Sequence, residues 1–196
     1  MTGPRTAGPS STGSAFPLGG GVFLRLAHER DAAALYESQV RNRDHLRPWE
    51  PRRHEEFYTR AGQAARLAEQ LRLHRAGRVA PWVLTRSDAV VGMVTLTDIL
   101  PAPFFGADLG YWLDRRYTGR GLATAAVRRV CELAETEFGL HRLEAATALH
   151  NTASQRVLVR CGFRRIGVAR GRVQTDGAWT DVVLHDRVLH DRPPGL

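Results

Sequence analysis

Two periods of apolar residues run along this chain, and the places where one gives way to the other mark its elements. Val22-Phe23-Leu24-Arg25-Leu26 is short, β-rich and fits a strand. Behind Asp31, a residue suited to capping a helix, Ala33, Ala34, Leu35 and Val40 recur at helical spacing. Leu46-Arg47-Pro48-Trp49-Glu50-Pro51 ends that helix, because each proline disfavours the α conformation in the residue before it. A second helix is predicted over about 55–75, with Ala64, Leu67, Leu71 and Leu73 as its apolar positions and a polar face of arginine and glutamine.

From Ala80 onward the period shortens to that of strands. Residues 82–85 and 90–96 flank Arg86-Ser87-Asp88-Ala89, which reads as a hairpin turn, and a further strand is expected over 108–113. A long helix over 119–138 follows, with Leu122, Ala126, Val130, Leu133 and Ala134 along one side, Glu132 spaced to pair with Arg128 and Arg129, and Gly139 as its stop. Then come a strand (143–149), a short helix (152–161) closed by Gly162, and strands over 163–168 and 179–189 around the turn Thr175-Asp176-Gly177-Ala178. The order predicts an α+β domain built on one mixed sheet. Residues 1–20, rich in Gly, Pro and Ser, read as a disordered tail, leaving 21–192 as a single domain.

Composition narrows the class. No apolar run approaches the roughly 20 residues a membrane helix needs, and no signal peptide is recognisable, so a cytoplasmic protein is expected. Cys131 and Cys161 do not form a disulfide framework and read as buried small hydrophobes. The formal net charge is +8, and all 28 basic residues are arginine. Such a chain attracts polyanions: nucleic acid, a ribosome surface or a phosphorylated cofactor.

One segment chooses among these. Gly110-Tyr111-Trp112-Leu113-Asp114-Arg115-Arg116-Tyr117-Thr118-Gly119-Arg120-Gly121-Leu122-Ala123-Thr124 places a strand, a basic turn with two glycines and a helix start in direct succession. The first amides of a helix have no intrahelical acceptor and point at one spot, where the helix dipole adds positive charge. Gly119 and Gly121 allow close approach of a ligand, and Arg115, Arg116 and Arg120 can fork onto phosphate oxygens. Without lysine the segment is not a P-loop, and its glycine spacing does not fit the dinucleotide fingerprint.

A second constellation is Asn151-Thr152-Ala153-Ser154, opening the helix that ends at Cys161-Gly162-Phe163. Read from the residues alone, Asn151 is a helix cap and Ser154 a first-turn hydroxyl. Taken with the glycine loop some 30 residues before it, the pair resembles the GNAT superfamily of acetyl-CoA-dependent N-acetyltransferases. The segment 42–51, the strand at 110–113 and the closing Gly177-Ala178-Trp179-Thr180-Asp181-Val182-Val183-Leu184 resemble its RimJ/RimL-type branch. The resemblance implies a mostly antiparallel central sheet flanked by helices and splayed between its fourth and fifth strands. It also implies acetyl-CoA as co-substrate, with no metal, held by 111–113, 115–124, Asn151 and Ser154. The pantetheine arm would lie between 111–113 and 145–149.

The implied reaction is attack of a neutral amine on a thioester, which requires an uncharged nitrogen, an oxyanion donor and a proton for the leaving sulfur. An α-amine is easier to deprotonate than a lysine side chain by about 3.3 kcal/mol. The family resemblance makes a backbone amide in 111–113 the oxyanion donor and Ser154 the candidate proton donor. Leu158 stands where many members carry a tyrosine. Glu144 and His185 are the candidate bases, and Trp49 is expected to line the acceptor pocket or to staple its loop onto the second helix. His185 and His190 point to opposite faces of a strand and do not suggest a metal site. The acceptor is expected to be a protein N-terminus such as that of a ribosomal protein, with polyamines or antibiotics as the small-amine alternative and a monomer or homodimer as the assembly. An arginine-rich nucleic-acid-binding module is the alternative from another class.

Overall fold

Eight strands hydrogen-bond into one sheet in the spatial order β1-β2-β3-β4-β5-β6-β8-β7. They are β1 (Phe16–Gly19), β2 (Val22–Leu26), β3 (Ala80–Arg86), β4 (Ala89–Leu100), β5 (Gly106–Leu113), β6 (Arg142–Ala148), β7 (Arg164–Thr175) and β8 (Ala178–Val188). Helices α1 (Ala32–Arg41), α2 (Arg43–Leu46) and α3 (Arg60–Arg75) lie between β2 and β3, α4 (Leu122–Thr136) joins β5 to β6, and α5 (Thr152–Arg160) joins β6 to β7. This computed structural model describes residues 14–175 and 178–192. Asp176 and Gly177 of the predicted 175–178 turn, and residues 1–13 of the predicted tail, lie outside the described residues. Among the described residues no helix is long and apolar enough to cross a membrane.

The sheet is covered on both faces, and β3 shows why its sequence is apolar without alternation: residues 80–85 are all buried. Trp82 and Leu84 join Leu24, Val91, Val94 and Leu96 in the core beneath α4. Val83 points the other way, into a second core with Leu35, Leu67, Leu71, Val90 and Met93 that seats α1 and α3. Cys131 and Cys161 are both free and buried, and burial pushes the Cys131 thiol up to about 12 and raises that of Cys161 as well.

Several boundaries depart from the expected ones for identifiable reasons. The tail assigned to 1–20 ends earlier, because Phe16–Gly19 pairs antiparallel with β2 through a turn in which Gly19, Gly20 and Gly21 all have positive φ. Asp31 does not cap α1 with its side chain; it accepts from the His28 amide and both guanidinium nitrogens of Arg25 instead. Val40 is 44% exposed and contributes nothing to the core. The predicted 55–75 helix is broken at Thr59, whose hydroxyl accepts from the Gly62 amide and starts α3 afresh after a 3-10 turn at Glu55–Tyr58. Glu132 pairs with Arg129 only, while Arg128 donates to the Arg160 carbonyl.

All neighbouring strands are antiparallel except β5 and β6, which are parallel. Their pairing covers only Gly106–Asp108 against Arg142–Glu144, after which the strands part. The expected splay is therefore present; β1 adds a strand, so it falls between the fifth and sixth. Gly92 fixes the far side of this wedge: a Cβ there would lie 2.8 Å from the Trp112 carbonyl oxygen and 3.0 Å from Leu113 Cδ1. Gly92→Ala should therefore cost about 1–3 kcal/mol of unfolding free energy, measured by urea titration. Gly110→Ala, where a Cβ meets nothing within 4 Å, should change stability by less than about 0.5 kcal/mol.

Candidate active site

The wedge opens into a cleft of 610 Å³. Tyr111, Trp112 and Leu113 of β5 form one wall, and Ala146, Thr147 and Ala148 of β6 the other. The small side chains on β6 leave its backbone accessible. On its outer edges β5 is held by β4 and β6 by β8, so residues 109–113 and 145–148 turn unpaired backbone edges toward each other. Such an edge accepts an extended amide-bearing ligand in the manner of an added strand.

At the wide end of the wedge, the turn read as passing straight into a helix contains a 3-10 turn at Arg115–Tyr117 and two glycines in the left-handed region. Gly119 has φ +74 and Gly121 φ +76, conformations that favour glycine, and a Cβ at either would meet no protein atom within 4 Å. Space, not contact, surrounds them. The first backbone bond of α4 runs from the Ala125 amide to the Gly121 carbonyl at 3.0 Å. The amides of Leu122, Ala123 and Thr124, all on the cleft wall, precede it and are free to bind an anion.

What fixes this loop is Asp114, fully buried and flanked by cations. Its carboxylate accepts from the Arg116 amide at 2.9 Å, from the Arg116 guanidinium at 3.2 and 3.1 Å, and from Arg41 Nε at 2.9 Å. Burial alone would favour the neutral acid, but these hydrogen bonds win and hold the carboxyl well below the usual range. Asn42 adds a further tie, accepting from the Arg115 amide at 3.0 Å and donating to the Ser38 carbonyl at 2.9 Å. Arg116, expected as a phosphate fork, gives two of its guanidinium nitrogens to Asp114 and is absent from the cleft wall. Arg115, Tyr117 and Arg120 also lie outside the cleft wall, Arg120 stacking on Tyr117 at 5.4 Å. The cations on the wall are Arg156 and Arg160, which share one face of α5 with Ala153 and Val157. That i, i+3, i+4, i+7 spacing was available in the sequence.

Asn151 caps α5 by accepting from the Ser154 amide at 3.0 Å. Ser154 faces the cleft, and its Oγ lies 2.7 Å from the Tyr111 hydroxyl, which also donates to the Ser154 carbonyl at 3.1 Å. This contact bridges β5 and α5 across the mouth of the wedge. Burial raises the Tyr111 phenol far above its ordinary value, against the pull of the Ser154 bond, so it stays protonated. Tyr111 was expected here only for its backbone.

Trp49, 40% exposed, lies over the cleft and stacks on His150 at 5.1 Å, so it bridges to the loop before α5 instead of entering the core. Glu144 does not reach the cleft. It sits where β5 and β6 are still paired, bound to Arg142 at 3.0 Å, and is set aside as the base. His185 is 2% exposed between Ala145 and Arg165 in the sheet, and burial lowers its pKa; it too lies away from the cleft.

A sheet parted between parallel strands, with a glycine loop and free helix amides at the wide end of the gap, defines an acyl-CoA-type transferase cleft. Residues 22–164 match the Acetyltransferase (GNAT) domain family, and the chain belongs to that family. It is 31% identical over 176 residues to the [ribosomal protein uS5]-alanine N-acetyltransferase of Escherichia coli, covering 89% of this chain and 91% of the relative. A ribosomal-protein-S5-alanine acetyltransferase structure from Vibrio fischeri superposes with TM-score 0.88 at 31% identity, covering 93% of this chain and all of that one. RimJ of Mycobacterium smegmatis in complex with CoA-disulfide superposes with TM-score 0.81 at 32% identity, over 85% of this chain and 81% of that one.

Asp114→Asn keeps the shape but removes the charge that Arg41 and Arg116 surround. It should cost about 3 kcal/mol at pH 7, read by denaturant unfolding. Because the folded pKa is depressed, the stabilisation is present above the unfolded value, near 3.9, and fades as pH falls through the folded one. The gap between variant and parent should therefore narrow below about pH 4.

Proposed function

We propose that this protein transfers the acetyl group of acetyl-CoA to the α-amine of a protein N-terminus, with a ribosomal protein as acceptor. The observation that carries the reading is the wedge itself: unpaired strand edges lead from free helix amides to the paired hydroxyls of Tyr111 and Ser154. The curated relative above modifies an alanine on a ribosomal protein, and RimJ was solved with a CoA disulfide.

The residues present fit the coenzyme. The amides of Leu122, Ala123 and Thr124, with the bare backbone at Gly119 and Gly121, would hold its diphosphate, and Arg156 and Arg160 would supply full positive charge. The facing backbones of β5 and β6 would receive the pantetheine amides. When bound, acetyl-CoA supplies an acyl group already activated as a thioester. A backbone amide of 111–113 that faces the gap would serve as donor to a developing oxyanion. With the phenol of Tyr111 donating to Ser154 Oγ, the Ser154 proton is free to pass to a leaving thiolate, and the raised phenol pKa keeps the pair protonated across neutral pH. A ribosomal acceptor would be met in the cytoplasm.

Two measurements test this. Thiol release from acetyl-CoA, followed against Ala- and Ser-initiated peptides and a panel of polyamines and aminoglycosides, should be supported by the peptides; turnover with the small amines alone would reassign the acceptor. Ser154→Ala should lower kcat about 10²-fold while calorimetry shows coenzyme affinity unchanged, whereas Gly119→Val should abolish the binding heat. A Ser154 variant that turns over normally would reduce the residue to a helix-turn hydroxyl.

A further inference from the structure

We propose that Glu50 is a catalytic residue that takes the proton of the acceptor amine, at the point where the cleft meets a neighbouring arginine-lined cavity; this rests on the acetyl-transfer reading above. The neighbouring cavity measures 710 Å³ and is walled by Arg43, Arg47, Arg52 and Arg53 together with Tyr58. Glu50 is the one described residue that lines both this cavity and the coenzyme cleft. It follows Trp49, whose ring sits over the cleft on His150. An acceptor approaching through the arginine cavity therefore meets this carboxylate before it reaches the parted strands.

The chemistry of the position suits a proton acceptor. The Glu50 side chain is 20% exposed, and the nearest cationic nitrogen, Arg53 Nε, stands 3.7 Å away, beyond hydrogen-bond reach. Burial raises its pKa, only partly offset by the charges of Arg53 and Arg66. Glu55 and Glu69, by contrast, are engaged by Arg43 and Arg72 and pulled below the usual range. Other groups face it from the packed elements: Tyr58 and Glu55 from the 3-10 turn, Arg66 from α3, and Arg43 from α2. Arg47, Arg52 and His54 border the arginine cavity, and His45 the cleft. The surplus of arginines disfavours a positively charged amine, while burial disfavours a charged Glu50. Both effects move the proton from nitrogen to oxygen.

The protons balance. An ammonium N–H bond breaks, its electron pair stays on nitrogen, and the proton passes to the Glu50 carboxylate and on to solvent. As the new C–N bond forms and C–S breaks, a second nitrogen proton is lost to the Ser154–Tyr111 pair, which returns one to sulfur. The product amide keeps the third.

The test is kcat/KM of the full chain for an Ala- or Ser-initiated peptide between pH 6 and 10, for the unsubstituted enzyme, Glu50→Gln and Glu50→Asp. Glu50→Gln should lose about 10²-fold at pH 7. The deficit should shrink below about tenfold above pH 9, where an α-amine with pKa near 8 deprotonates unaided. Calorimetric affinity for CoA should be unchanged. A deficit independent of pH, an unaltered kcat/KM or a loss of CoA affinity would overturn the assignment. Should Glu50→Gln fail to fold by circular dichroism, Glu50→Asp decides: a reduced rate with a shifted acid limb supports the role, and an unshifted profile at full rate overturns it. Failure of the unsubstituted enzyme on every peptide and amine would strike the acetyl-transfer reading itself, a result separate from these.

Discussion

Two parallel strands that begin together and then separate set the terms for everything else in this molecule. β5 and β6 share only three registered residue pairs, yet each continues for several more residues with its outer edge fully paired. Backbone amides and carbonyls left without a partner are costly unless solvent or ligand satisfies them. The fold places that demand where an extended molecule can answer it. The crossover helix α4 runs from the parted end of β5 back to the start of β6, where the two strands are joined, and packs its apolar face over the sheet. Its opening turn sits at the wide end of the gap.

The loop at that wide end is fixed by charge buried away from water. Asp114 gathers Arg41 from α1 and the backbone of the loop, 73 residues apart in sequence. A buried carboxylate with fewer donors would neutralise itself; this one is supplied with enough of them to stay ionised. The same network engages two nitrogens of the Arg116 guanidinium, and the arginines that line the cleft, Arg156 and Arg160, stand on α5. Basic residues beside a glycine loop are thus divided between building the loop and serving it, and only their partners tell the two apart.

Much of this was legible in the amino-acid order. Apolar spacing located β2–β4, the long helix and α5, and the Gly119–Gly121 pair with Asn151 and Ser154 pointed to residues that the fold brings onto one cleft. What escaped has common physical causes. β1 was hidden because Gly19, Gly20 and Gly21 look like a loop, and they are one, but a loop that folds a strand back. The roles of Asp114, Arg41 and Tyr111 depend on contacts across the chain that no local window contains. Glu144 was attractive as a base from its place on β6, yet it lies where the strands are still joined and Arg142 claims it. Arg156 and Arg160 were within reach of helical periodicity, since their face also carries Ala153 and Val157.

The interior placement of Cys131 and Cys161 has a practical corollary. Only a thiolate attacks a disulfide exchange reagent, and burial keeps both of these sulfurs in the thiol form and out of contact with solvent. The native enzyme should then contribute almost no chromophore of its own when free CoA is titrated with an aromatic disulfide. Colour developing in the absence of an acceptor would report opening of the core beneath α4 or hydrolysis of the thioester, and the two differ in whether the signal saturates at two equivalents per chain.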